Sequence, residues 1–134
     1  EYPAVADALL VSALMEAAEE MGEPVKVGLY RSHDAFYMES KAAHPGLRER
    51  MEKWIETGVQ VVENESGTLF PYGHLLGLRT GCVCVVFSNM FVPPEEQRKN
   101  PYGDPTDPEF GPRRIERAAR IALRAAEILE EGLK

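Results

Sequence analysis

The sequence lacks the long apolar runs and targeting signals of membrane or secreted proteins. No stretch of its 134 residues approaches the roughly 20 consecutive apolar residues of a transmembrane helix. No basic segment followed by an apolar stretch marks a secretory signal either. We therefore expect a cytoplasmic protein with no membrane partner.

Cysteine and histidine are scarce, which limits disulfide and metal chemistry. Cys82 and Cys84 are the only cysteines, so a framework of disulfides cannot form. Because they alternate along one predicted strand, they are core thiols or, as the alternative, a metal or redox pair. His33, His44 and His74 show no ligand-like spacing. The spacing of these residues therefore predicts no metal site.

Positive charge is in the minority, with 15 Lys and Arg residues against 22 Asp and Glu residues and a formal net charge of -7. This balance argues against nucleic acid or an anionic membrane as the principal partner. A small neutral ligand, or an anion bound by a local site, remains open. The length and the 44% hydrophobic content suit one compact globular domain.

Familiar catalytic signatures are also absent. The chain contains no GxSxG nucleophile elbow, no GxGxxG turn and no Walker motif. The sequence therefore gives no motif that indicates a hydrolase with a covalent intermediate or an enzyme that acts on nucleoside triphosphates.

Helical and strand patterns alternate along the chain. Apolar residues at helical spacing, bounded by glycine or proline, predict helices over 7–21, 45–58, 66–76 and 112–131. Period-two or continuous apolar runs predict strands over 24–32, 59–63 and 82–88, the second of them largely buried. Such alternation predicts an α/β fold with helices on the faces of a sheet. Three strands and four helices look like half of such a sheet.

Two proline-containing segments interrupt this pattern. Pro71 lies inside the third predicted helix, where the lost hydrogen bond costs about 3 kcal/mol, so we expect a kink or a later helix start. Residues 93–112 hold six of the ten prolines and predict one long irregular loop, either a lid or a surface excursion.

An acidic pair follows the second predicted strand. If strand geometry persists to Glu65, Glu63 and Glu65 lie on one face with Cα atoms about 6.6 Å apart. Paired carboxylates serve as an acid and a nucleophile in glycosidic cleavage, as metal ligands, or as acceptors for sugar hydroxyls. Alternatively the strand has already ended, and one acid lies at the first turn of a helix capped by Ser66, where the macrodipole favours negative charge.

Aromatic and basic side chains give two further candidate surfaces. Phe36 and Tyr37 lie with His33 in the loop after the first strand, where α/β sheets place their sites, and they either stack on a flat ligand or plug the core. Four arginines form a stripe on the last helix. The stripe consists of Arg113, Arg117, Arg120 and Arg124. It is either an anion-binding surface or a solvated or subunit-contact face, and the second is favoured because Glu116 lies four residues before Arg120.

Four segments in order and spacing resemble the C-terminal half of nucleoside phosphorylases, and the uridine phosphorylase branch in particular. The acidic "VENES" is similar to the family's Glu-Met-Glu-Ser, and "SHDAFY" is similar to its Ser-Asp-Thr-Phe-Tyr. The resemblance covers nearly the whole chain and is carried by "EYPAVADALLVSALMEAAEEMG" at 1–22, "VGLYRSHDAFY" at 27–37, "MEKWIETGVQVVENESGTLF" at 51–70 and "GLRTGCVCVVFSN" at 77–89.

The resemblance implies reversible phosphorolysis, in which a nucleoside and phosphate give a free base and ribose 1-phosphate. The sugar becomes oxocarbenium-like, and phosphate stabilises it and attacks C1′, so catalysis consists of positioning and electrostatics. The implied co-substrate is phosphate, with no cofactor. The implied fold is part of a three-layer α/β/α sandwich with a mixed central sheet, in which residues 1–134 form the C-terminal portion of a single domain.

The same resemblance assigns residues to the substrate. Glu65 would be the catalytic carboxylate that accepts hydrogen bonds from the ribose hydroxyls, chiefly the 2′-OH. Glu63 would be a second ribose contact or a carboxylate supporting it. Phe36, with Tyr37 beside it, would stack on the base, and Asn64 replaces a Met that packs on sugar and base.

Other positions depart from the family pattern at the base. Asn89 stands where purine-specific relatives carry an Asp that protonates the base, which favours a pyrimidine such as uridine. Met90 replaces an Arg of the uridine phosphorylases. Their uracil-reading Pro-Gly-Gln-Glu-Arg run is replaced here by residues 38–42, "MESKA", which puts the identity of the base in doubt.

The family's Gly-rich phosphate loop and phosphate-binding arginines lie N-terminal to the matched region. Together with a first residue that is not Met, this predicts a piece of a chain about twice as long that shows no phosphorolysis alone. The family also implies a homo-oligomer, a dimer or a hexamer, acting on nucleoside and phosphate. Alternatives are a nucleosidase or purine nucleoside phosphorylase of the same superfamily, and a non-catalytic ligand-binding or interaction module that keeps the fold.

Overall fold

A computed structural model describes residues 3–34, 43–100 and 103–132. The α/β class is confirmed, and the described part contains five helices and two strands. In chain order they are α1 (Ala8–Glu20), β1 (Leu29–Ser32), α2 (Leu47–Glu56), β2 (Val59–Glu63), α3 (Ser66–Leu75), α4 (Pro94–Gln97) and α5 (Phe110–Gly132).

Local capping chemistry explains where the helices begin and end. The Asp7 carboxylate accepts a hydrogen bond from the backbone N–H of Leu10 at 2.9 Å and so caps the start of α1. Gly77 follows α3 with a φ of 69°, a conformation that glycine adopts without a side-chain penalty. The next amide, Leu78 N, then donates back to Gly73 O at 2.9 Å, which closes the helix end. These ends agree with the sequence prediction.

The sheet of the described residues consists of β1 and β2 in parallel. Leu29 aligns with Val59 and Ser32 with Glu63, with an irregularity between Leu29 and Tyr30. The prediction for β2 is confirmed at both ends, whereas β1 is shorter than the predicted 24–32. Its partner strand begins only at Val59, so the preceding residues have no opposing β2 backbone to pair with.

The prediction that β2 is largely buried is wrong, because its residues alternate between half-buried and exposed. Val62, for example, keeps 43% of its surface exposed. Helix α2 contacts β2 and helix α3 contacts β1. Because Gln60 and Val62 are both exposed on one side of β2, the two-stranded sheet does not have the cover on both faces that a continuous apolar strand requires.

The predicted strand over 82–88 is wrong, since the structure describes this segment without strand pairing. Its alternating Cys and Val residues favour an extended backbone. A β-strand also needs a neighbouring strand with which it exchanges hydrogen bonds. In the described chain, β1 and β2 pair only with each other. The three-layer sandwich stays a prediction.

The helix boundaries in both proline-containing segments differ from the prediction. Helix α3 starts at Ser66 and includes Pro71, so a start after the proline is wrong. Within 93–112, residues Pro94–Gln97 form the short helix α4, with Pro94 at a first-turn position that suits proline. Helix α5 then begins at Phe110, two residues before the predicted start.

The chain divides into two compact units. The first comprises Glu1–Val11 and Val25–Cys82, and the buried residues among its described part are Leu47, Met51, Ser66, Phe70 and Gly73. The second comprises Ser12–Pro24 and Val83–Lys134, and within the residues that the structure describes its buried residues are Ala13, Ala17, Ala18, Phe110, Ile121 and Ala125. Of the helices in the described ranges, none has the length and apolarity to cross a bilayer.

Candidate active site

The turn from β2 into α3 is organised by the carboxylate of Glu63. One oxygen, Oε2, accepts hydrogen bonds from the backbone N–H groups of Glu65 at 2.8 Å and Ser66 at 2.7 Å. The other, Oε1, accepts from the Ser66 hydroxyl at 2.6 Å. Both oxygens of Glu63 are therefore engaged in closing the turn.

Ser32, at the end of the neighbouring strand, supports the same turn. Its hydroxyl donates to the Glu63 carboxylate and accepts a hydrogen bond from Gly67 N at 3.0 Å. A Cβ on Gly67 would lie 2.7 Å from Ser32 Cβ, closer than real Cβ atoms approach another heavy atom. Glycine at this position is what lets α3 approach the end of β1.

The hydrogen bonds to Glu63 also change its acidity. Burial of the half-buried carboxyl is the largest single influence on the pKa and raises it. The hydroxyl and backbone N–H of Ser66, the N–H of Glu65 and the hydroxyl of Ser32 together outweigh burial. The pKa of Glu63 is therefore lower than its ordinary value of 4.5, and the group is a carboxylate at neutral pH.

Glu65 has a different environment although it is only two residues away. It occupies the N-cap position of α3 with helical backbone angles, φ -117° and ψ -33°. Its side chain is exposed, and its Oε2 accepts a long hydrogen bond of 3.3 Å from Asn64 N. Glu65 thus presents a carboxylate at the surface of the turn.

The condition that strand geometry persists to Glu65 is not met. The strand ends at Glu63, and the chain turns into a helix within the next two residues. The alternative, an acid at the start of a helix, describes the structure, but the acid that binds the first amides of α3 is Glu63. Ser66 is the first residue of α3, and its hydroxyl faces Glu63.

Asn64 connects the two strand ends. With its NH₂ group assigned toward the surrounding carbonyls, the amide donates to His33 O at 2.8 Å and to Glu63 O at 3.1 Å. The backbone N–H of His33 also donates to Glu63 O at 3.0 Å. The donors of Asn64 therefore bind the backbone of the strand ends.

Asn89 and Met90 lie in the second unit, in a tight turn that is held by Gln97. Asn89 Oδ1 accepts a hydrogen bond from Phe91 N at 2.9 Å. The Gln97 side chain accepts from Asn89 N at 3.0 Å and donates to Asn89 O at 2.9 Å. Met90 at the tip of the turn keeps 51% of its surface exposed.

Phe36 and Tyr37 lie outside the described residues, as does the 38–42 run that departs from the family pattern. Cys82 and Cys84 are half-buried and are not joined in a disulfide. Among residues 3–34, 43–100 and 103–132, no group of three or more His, Cys, Asp or Glu side chains is arranged to hold a metal ion.

The arginine stripe of α5 is neutralised by carboxylates of its own unit. Arg117 and Arg114 both reach Glu23, at 2.7 and 3.4 Å, and Arg124 reaches Glu20 at 2.7 Å. The other two stripe arginines pair at 2.5 and 2.7 Å with acids of the second unit: Arg113 with Asp107 and Arg120 with Glu116. The pairing favours the solvated-face interpretation over an anion surface.

A sequence model of the Phosphorylase superfamily matches residues 1–127. The chain belongs to that superfamily. The match includes the β2–α3 turn with Glu63 and Glu65 and the turn with Asn89. It confirms the family resemblance that the sequence predicts.

Individual members of the Phosphorylase superfamily match the chain at similar levels. A uridine phosphorylase from Thermococcus kodakarensis is 34% identical over 139 aligned positions, which cover 98% of this chain and 44% of the relative. A guanosine phosphorylase from Halorubrum lacusprofundi is 35% identical, covering 96% of this chain and 49% of the relative. A purine nucleoside phosphorylase from Plasmodium vivax is 35% identical over 64% of this chain. The chain spans less than half the length of these relatives.

The sequence prediction missed two residues, each of which holds a turn of its own unit that carries predicted site residues. The sequence does place the Ser32 hydroxyl at the end of the first strand. Parallel pairing of the two strands would have predicted that it lies opposite the acidic turn. Gln97 gave no signal, because it lies in a proline-rich stretch and its partners are eight and five residues away.

Proposed function

We propose that the protein is a nucleoside phosphorylase, a pentosyltransferase that cleaves a nucleoside reversibly with phosphate to free base and ribose 1-phosphate. Membership of the Phosphorylase superfamily and relatives named as uridine, guanosine and purine nucleoside phosphorylases support this reaction. The chain supplies the ribose and base contacts, phosphate is the co-substrate, and no cofactor is required. The family resemblance also implies a homo-oligomer, and light scattering of the purified protein would measure its molar mass.

The division of labour between the two acids is the observation that carries the proposal. Glu63 is engaged by three hydrogen bonds that shape the turn, whereas Glu65 presents an exposed carboxylate. Ribose hydroxyls are neutral donors, and a carboxylate accepts from them in strong charge-assisted bonds. We therefore assign the 2′-OH contact to Glu65 and a supporting role to Glu63, with Asn64 tying the strand ends behind them.

This arrangement assists the reaction by position and charge. As the base leaves, the sugar gains positive charge, and a carboxylate beside its hydroxyls is more favourable to that cation than to the neutral nucleoside. Phosphate then attacks C1′ without a covalent enzyme intermediate. Glu65 thus contributes more to the transition state than to the ground state.

The proposed base is a pyrimidine such as uridine. Asn89, which corresponds to the proton-donating Asp of purine-specific relatives, carries an amide that cannot protonate a leaving purine. Phe36 and Tyr37 would stack on the base, and Met90 would lie near it. A purine is the second candidate, since the relative from Halorubrum lacusprofundi is named a guanosine phosphorylase at comparable identity.

Base release from uridine and guanosine, measured on the full-length protein with and without phosphate, tests the reaction. Release that requires phosphate supports a phosphorylase, and release in water alone supports a nucleosidase. Binding of nucleosides by calorimetry without any turnover would favour the non-catalytic module.

The variant Glu65→Gln tests the ribose contact. A hydrogen bond to a charged group contributes about 1.5–3 kcal/mol, so kcat/KM should fall roughly 10- to 100-fold, with little change in Tm because the side chain is exposed. Glu56→Gln, at the exposed end of α2 in the same unit, is the matched control and should keep wild-type activity. Unchanged kcat/KM in Glu65→Gln would overturn the assignment.

A further inference from the structure

Gln97 binds both ends of the turn that carries Asn89 and Met90. Its Oε1 accepts a hydrogen bond from Asn89 N at 3.0 Å, and its Nε2 donates to Asn89 O at 2.9 Å and Val92 O at 2.6 Å. Within the turn, Val92 N donates to Asn89 O at 3.1 Å. A single side chain from α4 therefore fixes the backbone on either side of Met90. We call these contacts the Gln97 clamp.

The Gln97 clamp requires an amide. One oxygen faces an N–H group and one NH₂ group faces two carbonyl oxygens, so every partner matches only one orientation of the side chain. A carboxylate of the same shape would place a negative oxygen against both carbonyls. Neither Glu nor a shorter polar residue reproduces the three contacts.

We propose that Gln97 is a positioning residue for base discrimination, acting through the turn of Asn89 and Met90. This inference rests on the proposed function, in which those two residues lie at the base. Gln97 itself contacts no substrate. It holds the main chain from which the Asn89 amide and the exposed Met90 side chain project.

The expected effect of the Gln97 clamp follows from how site geometry limits selectivity. Asn89 Oδ1 is fixed by Phe91 N, and the clamp fixes the Asn89 backbone, so the direction of the amide is set twice. Displacing a site group by about 1 Å can cost on the order of 100-fold in rate. Without the Gln97 clamp, the contacts to every base become weaker. The difference in kcat/KM between one base and another therefore becomes smaller.

The test uses Gln97→Ala and Gln97→Glu in the full-length protein, with kcat and KM measured for uridine and guanosine. Both variants should raise the nucleoside KM and move the ratio of the two kcat/KM values toward one by about tenfold. The KM for phosphate should not change. Glu95→Ala, an exposed neighbour on α4, should match the wild type.

A pH profile of Gln97→Glu separates positioning from general loss of stability. Protonation converts one carboxyl oxygen into a donor, so this variant should regain part of the wild-type ratio as the pH falls. Gln97→Ala has no group to protonate and should not regain it. Amide hydrogen exchange at Asn89 and Val92 should be faster in both variants than in the wild type.

The outcomes distinguish this inference from the function on which it rests. If the wild type is active and Gln97→Ala has the same ratio of kcat/KM for uridine and guanosine, the role of Gln97 alone is overturned. A ratio that changes together with a large fall in Tm, with no recovery of Gln97→Glu at low pH, also overturns it. A wild type that releases no base overturns the proposed function, and this inference with it.

Discussion

Glu63 and Glu65 are separated by one residue yet meet different partners because the backbone changes between them. Glu63 is the last residue of β2, and its side chain reaches forward to the amides of Glu65 and Ser66. Glu65 already has helical angles and points its carboxylate to solvent. Exchanging either acid for its amide should therefore produce a different defect.

Glu63→Gln should destabilise the protein in a pH-dependent manner. The folded-state pKa of Glu63 lies below its ordinary value of 4.5. The stabilisation that the carboxylate gives to the folded state is therefore fully present above pH 4.5 and is lost as the pH falls through the lowered pKa. At neutral pH the free energy of unfolding should fall by about 1–3 kcal/mol, since an amide cannot replace the charged acceptor.

Urea unfolding at neutral pH and at a pH below 4.5 measures this dependence on Glu63. The difference between wild type and Glu63→Gln should shrink in the more acidic condition. Glu56→Gln provides the comparison at an exposed acid. A loss of stability that stays the same across this range would contradict the role of the carboxylate charge.

Asn89→Asp should shift activity toward purine nucleosides. One carboxyl oxygen can keep the hydrogen bond from Phe91 N, and the other becomes available to carry a proton to the leaving base. General acid catalysis typically contributes about 100-fold or more, so the guanosine-to-uridine ratio of kcat/KM should rise at least tenfold. Asn89→Ala lacks both oxygens and should lower activity on both substrates. An unchanged ratio in Asn89→Asp would place the base away from this turn.

At the scale of elements, local signals predicted helix ends better than strand partners. Gly22 and Gly77 mark the ends of α1 and α3 because the chemistry of a helix end lies within a few residues. The segment 82–88 has strand-like alternation but no described strand partner, and partners depend on distant parts of the chain. The Glu63–Ser66 contacts escaped prediction for a related reason, because they depend on where the strand stops.

Gly77→Ala should lower the free energy of unfolding by about 1 kcal/mol, because a residue with a Cβ is strained at the positive φ of 69°. Gly132→Ala is a matched control. A Cβ at either position meets no heavy atom within 4 Å, but Gly132 does not have a positive φ. Chemical denaturation of both variants measures the difference. Equal stabilities would show that the backbone conformation of Gly77 is not the limiting factor.

At the scale of the whole molecule, the chain exposes many large apolar side chains. Several retain more than half of their surface in solvent, including Leu29 at 60%, Leu75 at 74%, Leu78 at 60% and Val86 at 59%. Only a contiguous exposed apolar patch is typical of a surface that binds other protein, and apolar side chains exposed singly are ordinary on a protein surface.

We expect the isolated 134 residues to show no phosphorolysis. In the family resemblance, the Gly-rich loop and the arginines assigned to phosphate lie N-terminal to the matched region, and the 134 residues correspond to 44% and 49% of two relatives. Base release from uridine and guanosine with excess phosphate, compared with the full-length protein, measures this. Turnover by the isolated chain at the full-length rate would contradict the prediction.

The Glu63 carboxylate at the start of α3 also has a consequence for how two co-substrates are kept apart. The first amides and the positive dipole end of a helix normally attract a free anion, but here an internal negative charge already occupies that position. Inorganic phosphate is therefore repelled from this corner, whereas an uncharged sugar is not. In the proposed reaction, the start of α3 would therefore accept the uncharged ribose and leave the phosphate anion to bind elsewhere.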